Sequence, residues 1–202
     1  MMRLYGNAVS PFVRKIRVLL LETGQDGDVE MVQAAGHALD SSAMPLAENP
    51  LGKIPVLTRG DGPALYDSRV ISRYLDARAG AGLYPETRLW EVLTLEALAD
   101  GLMDAATLIV YEARCRPPEL RSTDWVEGQW ARIERALETV NDRWMSHLTG
   151  KLTMAQIAMG CALDYLDFRH GDRPWRSGHD ALAAWSADFS ERASMRATAP
   201  HD

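Results

Sequence analysis

Residues 49–57 read Asn-Pro-Leu-Gly-Lys-Ile-Pro-Val-Leu, a loop that leads into a short apolar run typical of a β-strand. Pro55 cannot donate a ladder hydrogen bond, so it suits the beginning of that strand. A cis peptide bond before Pro55 would expose the backbone N–H and C=O of Ile54. Since only ~5–6% of X-Pro bonds are cis, the dipeptide alone favours trans. Lys53 is one of three lysines beside 19 arginines, and by default it is a solvated charge.

Short strands and helices alternate on both sides of this loop. Ser10-Pro11 is a favoured helix opening, and Gly24 is a suitable helix stop. Ser68 predicts the cap of a later helix. The predicted order is β-α-β-(α)-β-β-α, with strands over 3–7, 29–32, 55–57 and 64–66, helices over 11–24 and from 68, and a hairpin turn at 60–62.

The second half of the chain has a different pattern. Residues 79–87 are small, Gly-rich and closed by a proline, which is typical of a linker. Beyond them the strand pattern disappears and apolar residues recur at helical spacing. We therefore expect an α/β domain over 1–78 and an all-α domain over 88–202. The predicted helices of the second domain are 88–115, 124–148, 153–169 and 180–190.

The charge balance excludes some partners. The formal net charge is −6, from 22 basic and 28 acidic residues. Such a chain has no general electrostatic attraction for nucleic acid or anionic membranes, because that attraction needs clustered Lys and Arg. No apolar run reaches the ~18 residues of a membrane span, and the first residues lack a secretory pattern, so we expect a cytoplasmic protein.

Cysteine and histidine usage argues against a metal site. Cys115 and Cys161 are too few for a disulfide framework or a cysteine-based zinc site. The five histidines show no ligand spacing. We expect no bound metal.

Three polar helix openings remain as candidates for chemistry or for folding. Ser10 begins a helix, where unpaired N–H groups and the helix dipole would stabilise a thiolate; the alternative is an ordinary N-cap. Asp67-Ser68 could hold an amino-acid head, the carboxylate taking an ammonium and the hydroxyl with nearby amides taking a carboxylate. The alternative is again a capped helix. Thr153 and Gln156 fit a capping box, which concerns folding.

In this order and spacing, these features resemble the glutathione transferase superfamily over essentially the whole chain. The most specific motifs are Ser10-Pro11-Phe12, residues 49–57, and Asp67-Ser68 followed by Ile71. Ser-Pro-Phe is similar to the motif of the plant tau class, in which the serine activates glutathione; the omega class has cysteine there. The resemblance implies a thioredoxin-like α/β N-terminal domain, a short linker and an all-α C-terminal domain. Gln156 departs from the family, which usually has Asp at that position.

The resemblance also implies a role for each matching residue. Ser10 would donate a hydrogen bond to the glutathione sulfur and hold it as thiolate. Ile54 would pair its backbone with the cysteinyl part through a cis bond to Pro55, and Lys53 would meet the glycyl carboxylate. The full glutathione set that the resemblance implies is Ser10, Phe12, Lys53, Ile54, Pro55, Asp67 and Ser68.

The residues that bind the electrophile are harder to predict from the sequence. In the family it is formed partly by the first long helix of the second domain, where Met103, Thr107 and Tyr111 follow one helical stripe. The alternative for this stripe is ordinary packing or a dimer contact. Tyr5 lies inside the first predicted strand, which favours a sheet residue over a catalytic phenol.

The implied function is conjugation of glutathione, as co-substrate, to a small hydrophobic electrophile by a cytoplasmic, homodimeric detoxification enzyme. Two alternatives stay open. One is glutathione-dependent reduction, isomerisation or dehalogenation. The other is a non-catalytic glutathione-binding or stress-response module of the same fold.

Overall fold

A computed structural model describes residues 1–201 as one four-stranded sheet and seven α-helices, joined by loops and short 3₁₀ turns. The predicted fold class, α/β followed by all-α, is confirmed. The first part contains β1 Met2–Gly6, α1 Pro11–Glu22, β2 Val29–Gln33, β3 Val56–Arg59, β4 Gly62–Leu65 and α2 Ser68–Ala79. The second contains α3 Leu89–Cys115, α4 Thr123–Thr139, α5 Met154–Arg169 and α6 Asp180–Ser190, and α7 Ala193–Ala197 follows.

The sheet has the strand order β2-β1-β3-β4. β1 is parallel to β2 and antiparallel to β3, and β3 is antiparallel to β4. Alternate residues of β1 point into the core, and Leu4 is fully buried there. The helices cover this core with apolar side chains at helical spacing. Their fully buried members include Val13, Ile16, Leu19, Ile71 and Leu75.

The chain forms two compact units, and their composition differs from the predicted domains at one end. Unit 1 comprises residues 1–85 together with the segment that begins at Ala193, and unit 2 is Glu86–Arg192. The sequence analysis assigned that last segment to the helical domain. In the structure, α7 packs against α1: Arg14 Nη2 donates to Met195 O at 3.1 Å, and Ser194 Oγ donates to Glu22. These partners are about 180 residues apart in sequence, so no local sequence pattern predicts their contacts.

Within unit 1, two local predictions need correction. The optional helix between β2 and β3 is absent from the described residues. Positions 34–55 form turns instead, such as the one closed by Asn49 N donating to Pro45 O at 2.9 Å. The cap of α2 is Asp67 rather than Ser68: its side chain accepts from Arg69 N, and Ser68 is the first helical residue. A carboxylate is as good an N-cap as a hydroxyl, and it lies one residue earlier.

Unit 2 is built around α5. Twelve of its sixteen residues are buried, as expected of a helix that is apolar on nearly all sides. α4 ends earlier than predicted, because Val140–Trp144 continues as a π-helical turn and Met145–His147 as a 3₁₀ turn. The π turn presents Asn141 Oδ1 to Leu182 N at 3.2 Å, which ties it to the start of α6.

The capping box predicted at the start of α5 is present. Thr153 N donates to Gln156 Oε1 at 2.7 Å. The amide of Gln156 also donates to Leu148 O at 2.8 Å. An aspartate could make the first of these bonds but has no N–H for the second, so Gln156 adds a tie to the preceding loop.

Candidate glutathione-binding site

Strand register brings the predicted glutathione-binding segments to one end of the sheet in unit 1. Tyr5 near the end of β1 pairs with Val56 at the start of β3, and Leu57 pairs with Leu65 at the end of β4. The loop that leads to Ser10, the residues before Val56 and the residues after Leu65 therefore leave the sheet on the same side. We call this the site end.

Ser10 is the N-cap of α1, as predicted. Its Oγ accepts from Val13 N at 3.4 Å, and among the described residues it donates to none. Asn7, which the sequence analysis missed, holds the loop: Ser10 N donates to Asn7 Oδ1 at 3.0 Å, and Asn7 Nδ2 donates to Ala34 O at 2.9 Å. Ser10 is half-buried, so its hydroxyl hydrogen is available to a ligand at the helix opening.

The Ile54–Pro55 peptide bond is cis, as the resemblance implied. Asn49, buried to 2% exposure, supports the loop before it: Asn49 Nδ2 donates to Lys53 O at 2.8 Å, and Leu51 N donates to Asn49 Oδ1 at 3.1 Å. Lys53 is exposed, Ile54 half-buried and Pro55 buried. Asn49 is a second positioning residue that the sequence analysis quoted but did not assign.

Asp67 opens α2 after a cis Tyr66–Asp67 bond. Its carboxylate accepts from Arg69 N at 3.0 Å and from Arg69 Nη2 at 2.8 Å. Burial, the largest influence, raises the pKa of Asp67, but the hydrogen bonds and charge of Arg69 and the charge of Lys15 together lower it below the ordinary carboxyl value. The carboxylate, with 54% of its side chain exposed, is thus kept ionised and open to solvent. Ser68 beside it is 2% exposed.

The two helix openings at the site end differ in charge, because α2 has the Asp67 carboxylate at its N-cap and α1 has the neutral Ser10. Each is twelve residues long and has no acidic residue in its first turn. Their unpaired amides and dipoles therefore face the site end without an opposing carboxylate inside the helix. Phe12, in the first turn of α1, is half-buried.

Unit 2 places the three candidate electrophile residues in different environments. Met103 has 0% exposure, which is typical of a core side chain. Thr107 and Tyr111 are half-buried, and Thr107 Oγ1 is enclosed with no hydrogen-bond partner among the described residues. Burial raises the pKa of the Tyr111 phenol, with smaller contributions from Tyr165 and Cys115.

A third residue that the sequence analysis missed is Lys15, which is fully buried on α1. It lies on the same helical stripe as Pro11 and Leu19, four residues from each, and a lysine on an apolar stripe is the signal that could have found it.

Two features are absent from residues 1–201. No helix there is long and apolar enough to span a bilayer. No cluster of three or more His, Cys, Asp or Glu side chains is placed to hold a metal ion.

Sheet order, cis proline and capped helix openings define a protein with a thioredoxin-like N-terminal unit and an all-helical second unit. A family model for the glutathione S-transferase N-terminal domain matches residues 4–83, and one for the C-terminal domain matches residues 123–188. The GST-like protein YibF of Escherichia coli K12, described as uncharacterized, is 33% identical over 204 residues, with 98% of each chain covered. The chain therefore belongs to the glutathione S-transferase family.

Solved structures agree with this assignment. A glutathione transferase family member from Pseudomonas fluorescens Pf-5, crystallised with bound glutathione, is 43% identical with a TM-score of 0.95. A glutathione S-transferase from Methylobacillus flagellatus KT with glutathione bound is 38% identical with a TM-score of 0.89. Each alignment covers 100% of both chains.

Proposed function

We propose that this protein binds glutathione at the site end of unit 1, activates its thiol beside Ser10 and transfers it to a small hydrophobic electrophile. One observation carries the proposal: Ser10, the cis Ile54–Pro55 bond and the Asp67-Ser68 helix opening meet at one end of the sheet. Two crystal structures with bound glutathione, 43% and 38% identical and aligned over 100% of both chains, support this proposal.

The tripeptide is held at both ends. Asp67 takes the γ-glutamyl ammonium, and Ser68 with the first amides of α2 takes the α-carboxylate. The backbone of Ile54 pairs with the cysteinyl residue, and Lys53 meets the glycyl carboxylate. Phe12 and Pro55 complete the wall around the cysteinyl part. Two-ended binding matters because it aims the sulfur at the opening of α1 before any chemistry begins.

Ser10 acts as a donor rather than as a base. Val13 N–H occupies an acceptor site on Ser10 Oγ, and the hydroxyl hydrogen is available to a thiolate. A free thiol has a pKa of ~8.5. A charge-assisted hydrogen bond together with the helix opening lowers this by about one to two units, since such a bond contributes ~1.5–3 kcal/mol and one unit is ~1.4 kcal/mol. The proton leaves to solvent, the thiolate attacks the electrophile, and a C–S bond forms as the leaving group departs or the π bond opens.

The electrophile contacts on α3 are part of the proposal. Thr107 and Tyr111 are its half-buried members. Met103, fully enclosed, supports the stripe from the core. The hydroxyl groups of Thr107 and Tyr111 provide hydrogen-bonding partners for one polar group on an otherwise apolar electrophile.

We further propose that the protein is a cytoplasmic homodimer that serves detoxification. Each unit exposes large apolar side chains of the kind that a second copy would cover, with Leu51 at 69% and Val70 at 47% in unit 1 and Trp90 at 76% in unit 2. Light scattering of the purified protein tests this part: we expect twice the chain mass, and a monomer at micromolar concentration would contradict it.

Binding and turnover test the function itself. With six tryptophans in the chain, glutathione should change the emission, whereas a mixture of its three amino acids should not. Product analysis with aryl halides and epoxides should then yield a stable thioether conjugate, whereas peroxides and disulfides, tested in parallel, should not be reduced. Disulfide or alcohol products without a conjugate would favour the reductase alternative. Binding without any turnover would favour the non-catalytic module.

A further inference from the structure

Unit 2 contains a small cavity whose residues the proposed function does not use. It lies between α4 and residues 170–179, the loop that joins α5 to α6, and its volume is about 110 Å³. Its inner wall is formed by four buried side chains, Trp130, Leu137, Trp175 and His179. Glu134 and Ser177 are exposed at its rim. None of these residues belongs to the proposed glutathione set or to the electrophile stripe.

Hydrogen bonds on both sides hold the loop 170–179 in place. Arg173 Nη1 donates to Glu127 Oε2 of α4 at 3.1 Å. Trp175 Nε1 donates to Asp167 Oδ1 of α5 at 2.8 Å, and Arg176 Nη2 donates to Asp167 Oδ2 at 2.7 Å. Since the loop is tied to both helices, the cavity is formed before any ligand arrives, which lowers the entropic cost of binding.

His179 contributes a hydrogen-bond acceptor to this cavity. The residue is 9% exposed, and its Nδ1 lies 2.6 Å from Trp175 O. A carbonyl oxygen can only accept, so Nδ1 carries a proton, and in the neutral imidazole Nε2 is then an acceptor. Among the described residues Nε2 has no hydrogen-bond partner. It is not an enclosed atom, and the cavity is the opening that the ring lines.

The other polar groups of the inner wall are already bonded within the protein. Trp130 Nε1 donates to Glu134 Oε1 at 2.9 Å, and Trp175 Nε1 donates to Asp167. The inner wall therefore offers aromatic and aliphatic carbon with one acceptor and no fixed donor. A ligand that fits this wall is mostly apolar and brings its own O–H or N–H group.

The charges around the two indole rings favour a neutral ligand. The guanidinium carbon of Arg173 lies 4.8 Å from the centroid of the Trp130 ring, and that of Arg176 lies 4.4 Å from the centroid of the Trp175 ring. A cationic ligand on the same rings would be repelled by these two groups. An anionic ligand would be repelled by the carboxylate of Glu134 at the rim.

We propose that this cavity binds a small neutral aromatic molecule with one O–H or N–H donor, such as a phenol. The ring packs against Trp130 and Trp175, and the donor bonds to His179 Nε2. A cavity of ~150 Å³ holds benzene. The volume of about 110 Å³ therefore limits the buried part of the ligand to a single ring, and the open rim leaves room for a substituent.

The indole N–H signals of the ¹⁵N-labelled protein test the location, because the six tryptophans give six signals. Phenol, which is neutral at pH 7, is the probe. It should shift the signals of Trp130 and Trp175 saturably and leave that of Trp90, which is 76% exposed, unchanged. We expect a dissociation constant on the order of 1 mM, since so small a ligand gains limited free energy. No saturable shift of the Trp130 and Trp175 signals at ~10 mM phenol would overturn the inference.

His179→Asn tests the acceptor. The asparagine amide can still donate to Trp175 O but places no acceptor at the Nε2 position. We expect this variant to bind phenol about tenfold more weakly, as for one lost hydrogen bond, and toluene, which has no donor, within about twofold of the wild type. His201→Asn is the matched control, because exposed His201 also has Nδ1 beside a backbone carbonyl, 3.2 Å from Ala199 O. Equal losses for phenol and toluene in His179→Asn would overturn the inference.

The wild type alone decides the matter if His179→Asn does not fold. Toluene is more apolar than phenol, so a cavity without a usable acceptor would bind toluene more tightly. We expect phenol to bind at least as tightly as toluene, as measured by the shifts of the Trp130 and Trp175 signals. Tighter binding of toluene would contradict the role of His179.

Discussion

The openings of α1 and α2 differ from that of α5 in how many of their hydrogen-bonding groups are already bonded within the protein. At α5, the side-chain carbonyl of Gln156 accepts from Thr153 N, and its side-chain amide donates to Leu148 O. Thr153 and Gln156 are both almost fully buried. Ser10 accepts one bond and keeps its hydroxyl hydrogen, while Asp67 is half exposed. The same cap residues therefore serve folding in one place and folding plus ligand binding in another. The distinguishing property is the unused, accessible hydrogen-bonding capacity.

Gln156→Ala tests the α5 opening, and we expect it to have the largest effect on stability. It leaves Thr153 N without its buried acceptor, whereas Leu148 O keeps the hydrogen bond from Trp185 Nε1, so we expect a cost of about 2 kcal/mol. Activity per folded molecule should be unchanged. Chemical denaturation measures the first and active-site titration the second, with exposed Gln33→Ala as the control. A loss of activity without a loss of stability would contradict the division between the two kinds of opening.

Asn7→Ala tests the α1 opening. It removes the side chain that ties Ser10 N to Ala34 O, so the loop and the hydroxyl lose their fixed position. We expect kcat/KM to fall about tenfold, because small displacements of a positioned group are costly to catalysis. The free energy of unfolding should fall by only ~1 kcal/mol, since both freed groups are partly solvated. Steady-state kinetics measures kcat/KM, and chemical denaturation of the same sample measures the free energy of unfolding. A loss of stability with unchanged kcat/KM would show that Asn7 has only a structural role.

Acid should have the smallest effect, and it concerns the α2 opening. The pKa of Asp67 is held below the ordinary carboxyl value, so the group stays ionised at neutral and mildly acidic pH, and its contribution is lost only as pH falls through the lowered pKa. Glutathione affinity of the wild type should change less than about twofold between pH 7 and pH 5. Asp67→Asn is the comparison variant. A fall in affinity over this range in the wild type, but not in Asp67→Asn, would show that the carboxylate titrates higher.

Features that depend on neighbouring residues were predictable from the sequence. The caps at Ser10 and Thr153 and the order of strands follow from side chains that bond their own first turn and from local periodicity. The position of Asp67 as cap was missed by one residue, because Asp and Ser are equally good caps. The cis bond before Pro55 came from family resemblance, since the dipeptide alone favours trans.

Features that depend on distant residues were not predictable. Arg14 Nε donates to Thr198 Oγ1, which is 184 residues away in the sequence. No local sequence pattern therefore predicts that the last segment belongs to unit 1. Asn7 and Asn49 acquire their roles only when separate loops meet at the site end. Lys15 was visible as a charge on an apolar stripe, but its complete burial appears only once the helices of unit 1 pack together.

The central claim is that glutathione loses its thiol proton more readily beside Ser10. Absorbance of the bound thiolate, titrated with pH in the wild type and in Ser10→Ala, tests it most directly, with exposed Ser42→Ala as the control. We predict a bound thiol pKa about one to two units below the free value of ~8.5 in the wild type and in Ser42→Ala, and a return of at least about one unit in Ser10→Ala. The same unshifted pKa in all three proteins would contradict the account.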